Sequence, residues 1–220
     1  MEYIEFISQV HSSTKRNYLE RIVEHDKATC AEVAGKFGAE YWDGDRQFGY
    51  GGYKYDGRWR AVAEKMITYY GIKGGDKILD VGCGKGFLLY ELTQLVPEAQ
   101  VQGVDVSEYG LKNAKEEVKP YLQIGNAIEL PFKDNEFDFV VSLNVLHNLY
   151  NYQLVQAIRE IERVGKKNKY IVAEAYRNEK EKVNLLCWQL TCRVFHTPKE
   201  WEWVLTENGY TGDFGCIYFE

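Results

Sequence analysis

An α/β fold with a doubly wound, mostly parallel, seven-stranded sheet is predicted from three features of this sequence of 220 residues. An apolar run (Ile78, Leu79, Val81) ends in Asp80 and three alternating glycines, Gly82, Gly84 and Gly86, before Leu88, Leu89, Leu92 and Leu95 recur at helical spacing. Strand-like and helix-like segments then alternate, which is the pattern of a parallel sheet covered by helices on both faces. Finally, two short β-like runs around Asp213-Phe214-Gly215, between Tyr210 and Phe219, predict an antiparallel hairpin at the C-terminal sheet edge. Residues 1–58 form a helical and aromatic-loop extension ahead of the main domain, residues 59–220.

In the extension, a helix is expected from Ser13, with Leu19, Ile22, Val23, Val33 and Phe37 near one face and Gly35 and Gly38 at its end. Tyr41 to Trp59 follows with neither helical nor strand periodicity; seven of its nineteen residues are aromatic and five are glycine. A loop this long inside a compact domain is usually functional or disordered, and its aromatics argue against disorder. Tyr50, Tyr53 and Tyr55 could lay flat faces on a ligand, while Asp43, Asp45, Arg46, Asp56 and Arg58 could grip polar groups. An amphipathic helix then runs from Trp59 through Tyr70 and stops at Gly71.

Within the core, Val101–Val106 reads as a strand ending at Asp105, with Ser107 as a helix N-cap. Further strands are expected at Tyr121–Ile124, Phe137–Leu143 and Tyr170–Ala173. Between the last two, Leu154, Ile158 and Ile161 mark a helix closed by Gly165. Thr197-Pro198-Lys199-Glu200 combines an N-cap, a first-turn proline and a capping-box acid.

Composition bounds the function. No apolar run reaches the roughly 18 residues of a membrane span, and the acid-bearing start MEYIEFISQVHSSTK does not resemble a secretory signal. Five scattered cysteines without metal spacing favour reduced thiols in a cytoplasmic protein. A formal charge of −6 argues against a nucleic-acid partner. Asp43-Gly44-Asp45 offers two carboxylates without further ligands, too few to imply a metal.

The glycine turn behind a buried strand is where a nucleotide-like ligand meets a sheet's carboxyl edge. A nicotinamide dinucleotide would call for GxGxxG, whereas here the spacing is GxGxG with Phe87 at the third position; no GK[ST] follows, so it is not a P-loop. An acid inside the strand's end suits a ligand without phosphates, even a cationic one, and Asp105, nineteen residues after Gly86, could accept ribose hydroxyls.

From Trp59 to Phe219 the chain resembles the class I S-adenosylmethionine-dependent methyltransferases, with their Rossmann-like fold. Asp80-Val81-Gly82-Cys83-Gly84-Lys85-Gly86 matches the glycine motif and Asp105 the ribose-binding acid, with Val106 beside it. Gly125-Asn126-Ala127 with Leu130-Pro131-Phe132 resembles the adenine-lining segment, with Asn126 where the family usually has Asp. Phe137–Ser142 and Asn144–Leu149 resemble the fourth strand and the loop below the methyl donor. The resemblance thus implies a cofactor site of Asp80, Gly82, Cys83, Gly84, Gly86, Asp105, Val106, Asn126, Ala127 and Asn144, holding S-adenosylmethionine. The Asn/Asp-Pro-Pro-Tyr/Phe motif of DNA amino-methyltransferases is replaced by Asn144-Val145-Leu146-His147, which favours a small-molecule acceptor. The aromatic segment also looks like that of small methyltransferases working with bacterial surface-polysaccharide enzymes.

That resemblance implies methylation of a small polar metabolite, foremost O-methylation of a sugar or phosphate-bearing glycan precursor. N-methylation, or a catalytically silent cofactor-binding subunit, are the alternatives; a homodimer is allowed. A hydroxyl acceptor needs a base. His147, beyond the fourth strand, is the candidate, with Glu174 as a second base or acceptor-orienting group and Tyr50 and Tyr53 as a lid.

Overall fold

The protein's structure, a computed structural model, describes residues 1–12 and 16–220. Four short helices come first: α1 (Ser8–Ser12), α2 (Glu20–Val23), α3 (Lys27–Ala34) and α4 (Ala39–Trp42). The expected single helix from Ser13 is therefore divided, and its first residues, 13–15, lie outside the described residues. Leu19, Ile22 and Val23 are exposed rather than aligned on a buried face. Asp26 breaks the run by capping a new helix, accepting from Thr29 N–H at 3.1 Å.

The core then follows as α5 (Trp59–Tyr70), β1 (Lys77–Val81), α6 (Phe87–Leu95), β2 (Gln100–Asp105), α7 (Glu108–Lys112), β3 (Leu122–Ile124), β4 (Phe137–Leu143), α8 (Asn151–Val164), β5 (Gly165–Glu174), α9 (Glu179–Trp188), α10 (Pro198–Glu207) and β6 (Asp213–Ile217). The sheet order is β3-β2-β1-β4-β5-β6, and each of these pairings is parallel. Strand β1 is central because it is apolar on both sides. Ile78 packs with Val62, Met66 and Leu92 of α5 and α6, whereas Leu79 and Val81 face the layer of α8 and α10. On α8, Leu154, Ile158 and Ile161 are buried at helical spacing, each contributing roughly 1.5–3 kcal/mol of burial. Helix α5 ends where Gly71 turns left-handed at φ 64°, and the Thr197–Glu200 capping box starts α10. Among the described residues, no helix is long and apolar enough to cross a membrane.

The seven-stranded sheet with an antiparallel edge hairpin is not what forms. Among the described residues six strands form the sheet, and the Tyr210–Phe219 stretch yields one, β6, parallel to β5. The reason lies at the other end of the chain. Tyr3 bridges Phe214 in parallel; Ile4 N–H donates to Phe214 O at 2.8 Å and Phe214 N–H to Glu2 O at 3.0 Å. The N-terminal residues thus occupy the outer edge of β6, where a returning hairpin strand would have to pair.

Gly215 permits this strap, since a Cβ there would collide with the Ile4 carbonyl. Gly215→Ala should cost about 1–3 kcal/mol in denaturant unfolding and accelerate exchange of the Ile4 amide. Unchanged stability and exchange would contradict the docking of residues 2–4 on β6.

Candidate active site

At the carboxyl end of β1 the chain turns through Gly82, Gly84 and Gly86 at φ 85°, 53° and 68°, a region L side chains rarely occupy. The turn is also closely walled: a Cβ at Gly82 would strike Val145, one at Gly84 Trp42, and one at Gly86 Val118. Asp105 fixes it from β2. Its carboxylate accepts from Gly84 N–H at 2.8 Å and from Ser107 N–H at 2.7 Å, and Ser107 in turn caps α7 through Gly110 N–H at 2.9 Å. Burial raises the Asp105 carboxyl above its ordinary range while these amides pull against it. Asp80, 4% exposed on the neighbouring strand, is pushed up to about 8, first by burial and then by the Asp105 charge. Among the described residues neither carboxyl has an ion-pair partner.

The other expected cofactor residues divide. Gly125 N–H donates to Asp105 O at 3.0 Å, which brings the loop of Asn126 and buried Ala127 to the turn. Asn126, however, turns its side-chain carbonyl onto Ile128 N–H at 3.2 Å and lies exposed, as does Val106. Cys83 points into the core beside Leu88 and Leu89, where burial and the two acids hold its thiol well above its usual range, so it is no nucleophile. Asn144, at φ 59°, has a buried side-chain oxygen without a partner. A cradle too tight for any Cβ, two buried acids lacking a cation and an orphaned amide oxygen fit a cationic, nucleoside-like ligand such as S-adenosylmethionine.

The aromatic segment closes over this turn. Lys85 of the glycine motif, itself buried, reaches both oxygens of Asp43 at 2.8 and 2.7 Å and the Tyr53 carbonyl at 2.9 Å. Burial pushes the Asp43 carboxyl up, and the Lys85 ammonium with the Tyr109 hydroxyl outweighs it, leaving the group below its usual value. The Trp42 indole N–H donates to Ser107 Oγ at 2.7 Å; Tyr50 stacks on Trp42 at 5.3 Å and Tyr53 on Phe87 at 5.0 Å.

Beyond these rings lies a cavity of about 540 Å³. Asn144, His147, Glu174, Tyr50 and Tyr53 all line it, so four expected acceptor-side residues share one chamber with the end of the cofactor site. His147 is 2% exposed, and burial pushes its pKa down to about 3, so it stays neutral. The Glu174 backbone N–H donates to its Nδ1 at 3.4 Å, which places the ring proton on Nε2, 3.5 Å from Glu174 Oε2. Glu174 accepts from the Gln189 side chain through Oε1, while Oε2 is buried without a hydrogen bond. Burial pushes its pKa up to about 8, against the opposing Arg16 charge and the Gln189 bond. The expectation that His147 is the base is therefore revised: its Nδ1 already accepts a backbone amide and its basicity is low, whereas Glu174 Oε2 has no hydrogen bond and burial makes the carboxylate more basic than usual.

Four further residues line the cavity: Trp188, in an aromatic stretch whose helical spacing fits core packing as readily as a pocket wall, ends α9, while His11 lies in α1, Arg21 in α2 and Arg16 between them. His11 receives an Arg16 N–H on its carbonyl at 3.1 Å, and burial and Arg16 together push its ring pKa down to about 4.

Comparison with known proteins agrees with this geometry. Residues 72–209 match the family described as methyltransferase domain. Demethylmenaquinone methyltransferase of Symbiobacterium thermophilum is 37% identical over 128 residues, covering 54% of this chain and 50% of the relative. Its counterpart in Lysinibacillus sphaericus is 38% identical over 119 residues, 52% of this chain and 49% of the relative. The chain thus spans about half the length of the curated relatives it matches. Among solved structures, YcgJ of Bacillus subtilis superposes with a TM-score of 0.55 at 22% identity, covering 66% of each chain. Geranyl diphosphate C-methyltransferase of Streptomyces coelicolor, solved with S-adenosyl-L-homocysteine, gives 0.54 at 19% identity, covering 67% of this chain and 59% of that one. These two share the fold. With more than half its length matched, on the glycine turn and sheet described above, the chain belongs to the methyltransferase-domain family.

Proposed function

We propose that this protein transfers the methyl group of S-adenosylmethionine to a hydroxyl of a small polar metabolite, with Glu174 taking the proton and His147 holding Glu174 in place. The observation that carries this is the buried, unpaired Glu174 Oε2 in the chamber that Asn144 joins to the glycine turn. When bound, S-adenosylmethionine supplies a methyl group on a good leaving group, so alignment of the acceptor can provide much of the rate. Asp80, Asp105 and the backbone of Gly82–Gly86 would hold the donor. Tyr50 and Tyr53 would cover donor and acceptor and exclude water. Glu174 Oε2 would take the proton of the acceptor hydroxyl as that oxygen receives the methyl group, the S–CH3 bond breaking to leave S-adenosylhomocysteine.

Carbon methylation of a quinone ring, suggested by the names of the relatives, is the second reading. Against it, the cavity walls from Arg16 to Tyr53 lie outside the matched residues 72–209 and are rich in charge. The glycan-precursor expectation finds no support among the relatives named above, and small polar acceptor is the level the cavity supports. An amine acceptor would leave Glu174 dispensable.

Incubation with methyl-labelled donor and a metabolite extract should label a small polar compound; label confined to RNA, protein or an apolar quinone fraction would sink the proposal, as would donor binding without any turnover. With the acceptor in hand, Glu174→Gln should lower kcat about 10²–10⁴-fold without weakening S-adenosylhomocysteine binding. A base that must be ionised makes the wild-type rate climb as pH rises towards about 8, where Glu174 loses its proton, and the variant should lose that limb. Full turnover in Glu174→Gln would point to the amine acceptor instead.

Asp80 gives a second pH effect. Its proton, held up to about pH 8 in the free site, is expelled by a cationic donor, so affinity should rise from pH 6 to 8. Calorimetry in buffers of differing ionisation enthalpy should register proton release that Asp80→Asn lacks; equal release from both would contradict the assignment.

A further inference from the structure

Three guanidinium groups lining the cavity converge on Trp188. Around the Trp188 indole, the Arg21 carbon sits 4.4 Å from the ring centroid, that of Arg46 5.1 Å and that of Arg16 5.5 Å. They come from separate places in the chain: Arg16 ahead of α2, Arg21 within it, and Arg46 in the aromatic segment. Each is braced by carbonyls. Arg16 donates to His11 O at 3.1 Å, Arg21 to Gln47 O at 3.4 Å, and Arg46 to Gly49 O at 3.4 Å and to Tyr50 O.

For Arg21 and Arg46 these bonds hold the group without neutralising it. Among the described residues, neither Arg21 nor Arg46 is in a salt bridge, and Arg21 Nε is buried with no hydrogen-bond partner. Burial and the Arg46 charge push the Arg21 pKa down to about 10; burial also lowers Arg46 and Arg16, and Arg46 opposes Arg16 as well. All three remain cations at neutral pH. The same residues wall a second basin of about 510 Å³, whose far rim carries Glu20 and Glu24. Those acids do not line the inner cavity, whose carboxylates are Glu174, which senses Arg16, and Asp56, which is paired with Arg58. A protein of net charge −6 has here gathered three like charges in a half-buried place, a costly arrangement unless something anionic enters it.

We propose that Arg16, Arg21 and Arg46 form a clamp for a phosphoryl group carried by the acceptor, anchoring it so that its hydroxyl reaches Glu174. A dianion matches three converging guanidinium groups better than a single carboxylate, and forked N–H donors suit phosphate oxygens. This rests on the methyl-transfer reading of the cavity and adds to it the charge of the acceptor. The cation–π contacts with Trp188 keep the three side chains in place between turnovers.

The test uses the intact chain and inorganic phosphate as the probe, at ionic strength matched with sodium chloride. S-adenosylhomocysteine binding is measured first, without phosphate, because its failure would refute the methyl-transfer reading and leave the clamp aside. Phosphate should then raise the Tm of the wild type and bind by calorimetry. Arg21→Gln and Arg46→Gln should each weaken it at least about tenfold. Because removal of one charge relieves repulsion, the phosphate-free Tm of at least one variant should equal or exceed that of the wild type. Trp188→Phe, which keeps the cations, should bind phosphate within about threefold of wild type, a change of under 1 kcal/mol. No phosphate binding to a wild type that binds S-adenosylhomocysteine, or equal binding by wild type and both arginine variants, would overturn the clamp.

Discussion

The contact on which the two halves of the site depend is the ion pair between Lys85 and Asp43. Lys85 sits in the middle of the glycine turn and is almost fully buried; Asp43 begins the aromatic segment. Burying an ammonium without a counter-charge is costly, and its bonds to Asp43 and the Tyr53 carbonyl fix the aromatic segment, with Tyr50 stacked on Trp42 and tilted against Tyr53. The turn that names the donor therefore also positions the wall facing the acceptor. Sequence distance conceals this link, since the two residues are 42 positions apart.

Charge is distributed through the site. At the turn are two buried acids, Asp80 and Asp105, with no ion-pair partner among the described residues. In the chamber, Glu174 is held by Gln189 and a neutral His147. The three arginines around Trp188 wall the same chamber and the basin beside it. Gathering desolvated like charges costs stability, a cost that ligands of opposite charge would offset.

How much of this the sequence disclosed depended on how local the cause was. The glycine turn, the Ser107 cap, the Thr197 capping box and strand β4 follow from nearby residues, and all formed where the pattern placed them. The C-terminal hairpin did not, because the edge of β6 is taken by Glu2–Ile4, and nothing within Tyr210–Phe219 records a partner some 211 positions away. His147 was legible as a residue but not as a weak base, since its burial comes from the segment after α9, whose Arg193 and Val194 amides both bind its carbonyl. The arginines were the least legible. Arg16 and Arg21 fell within one expected amphipathic helix that forms only as short pieces, with Arg16 ahead of α2 and Arg21 in it, and Arg46 showed only as one polar residue among aromatics; their common neighbour, Trp188, brings them together only in three dimensions.

The central claim is that the glycine turn between Asp80 and Asp105 takes a methyl donor rather than a dinucleotide. Titration of the wild-type chain with S-adenosylhomocysteine and, separately, with NADH tests this most directly. The account requires saturable one-to-one binding of S-adenosylhomocysteine and none of NADH. Binding of NADH with no response to S-adenosylhomocysteine would contradict it at the turn on which the rest is built.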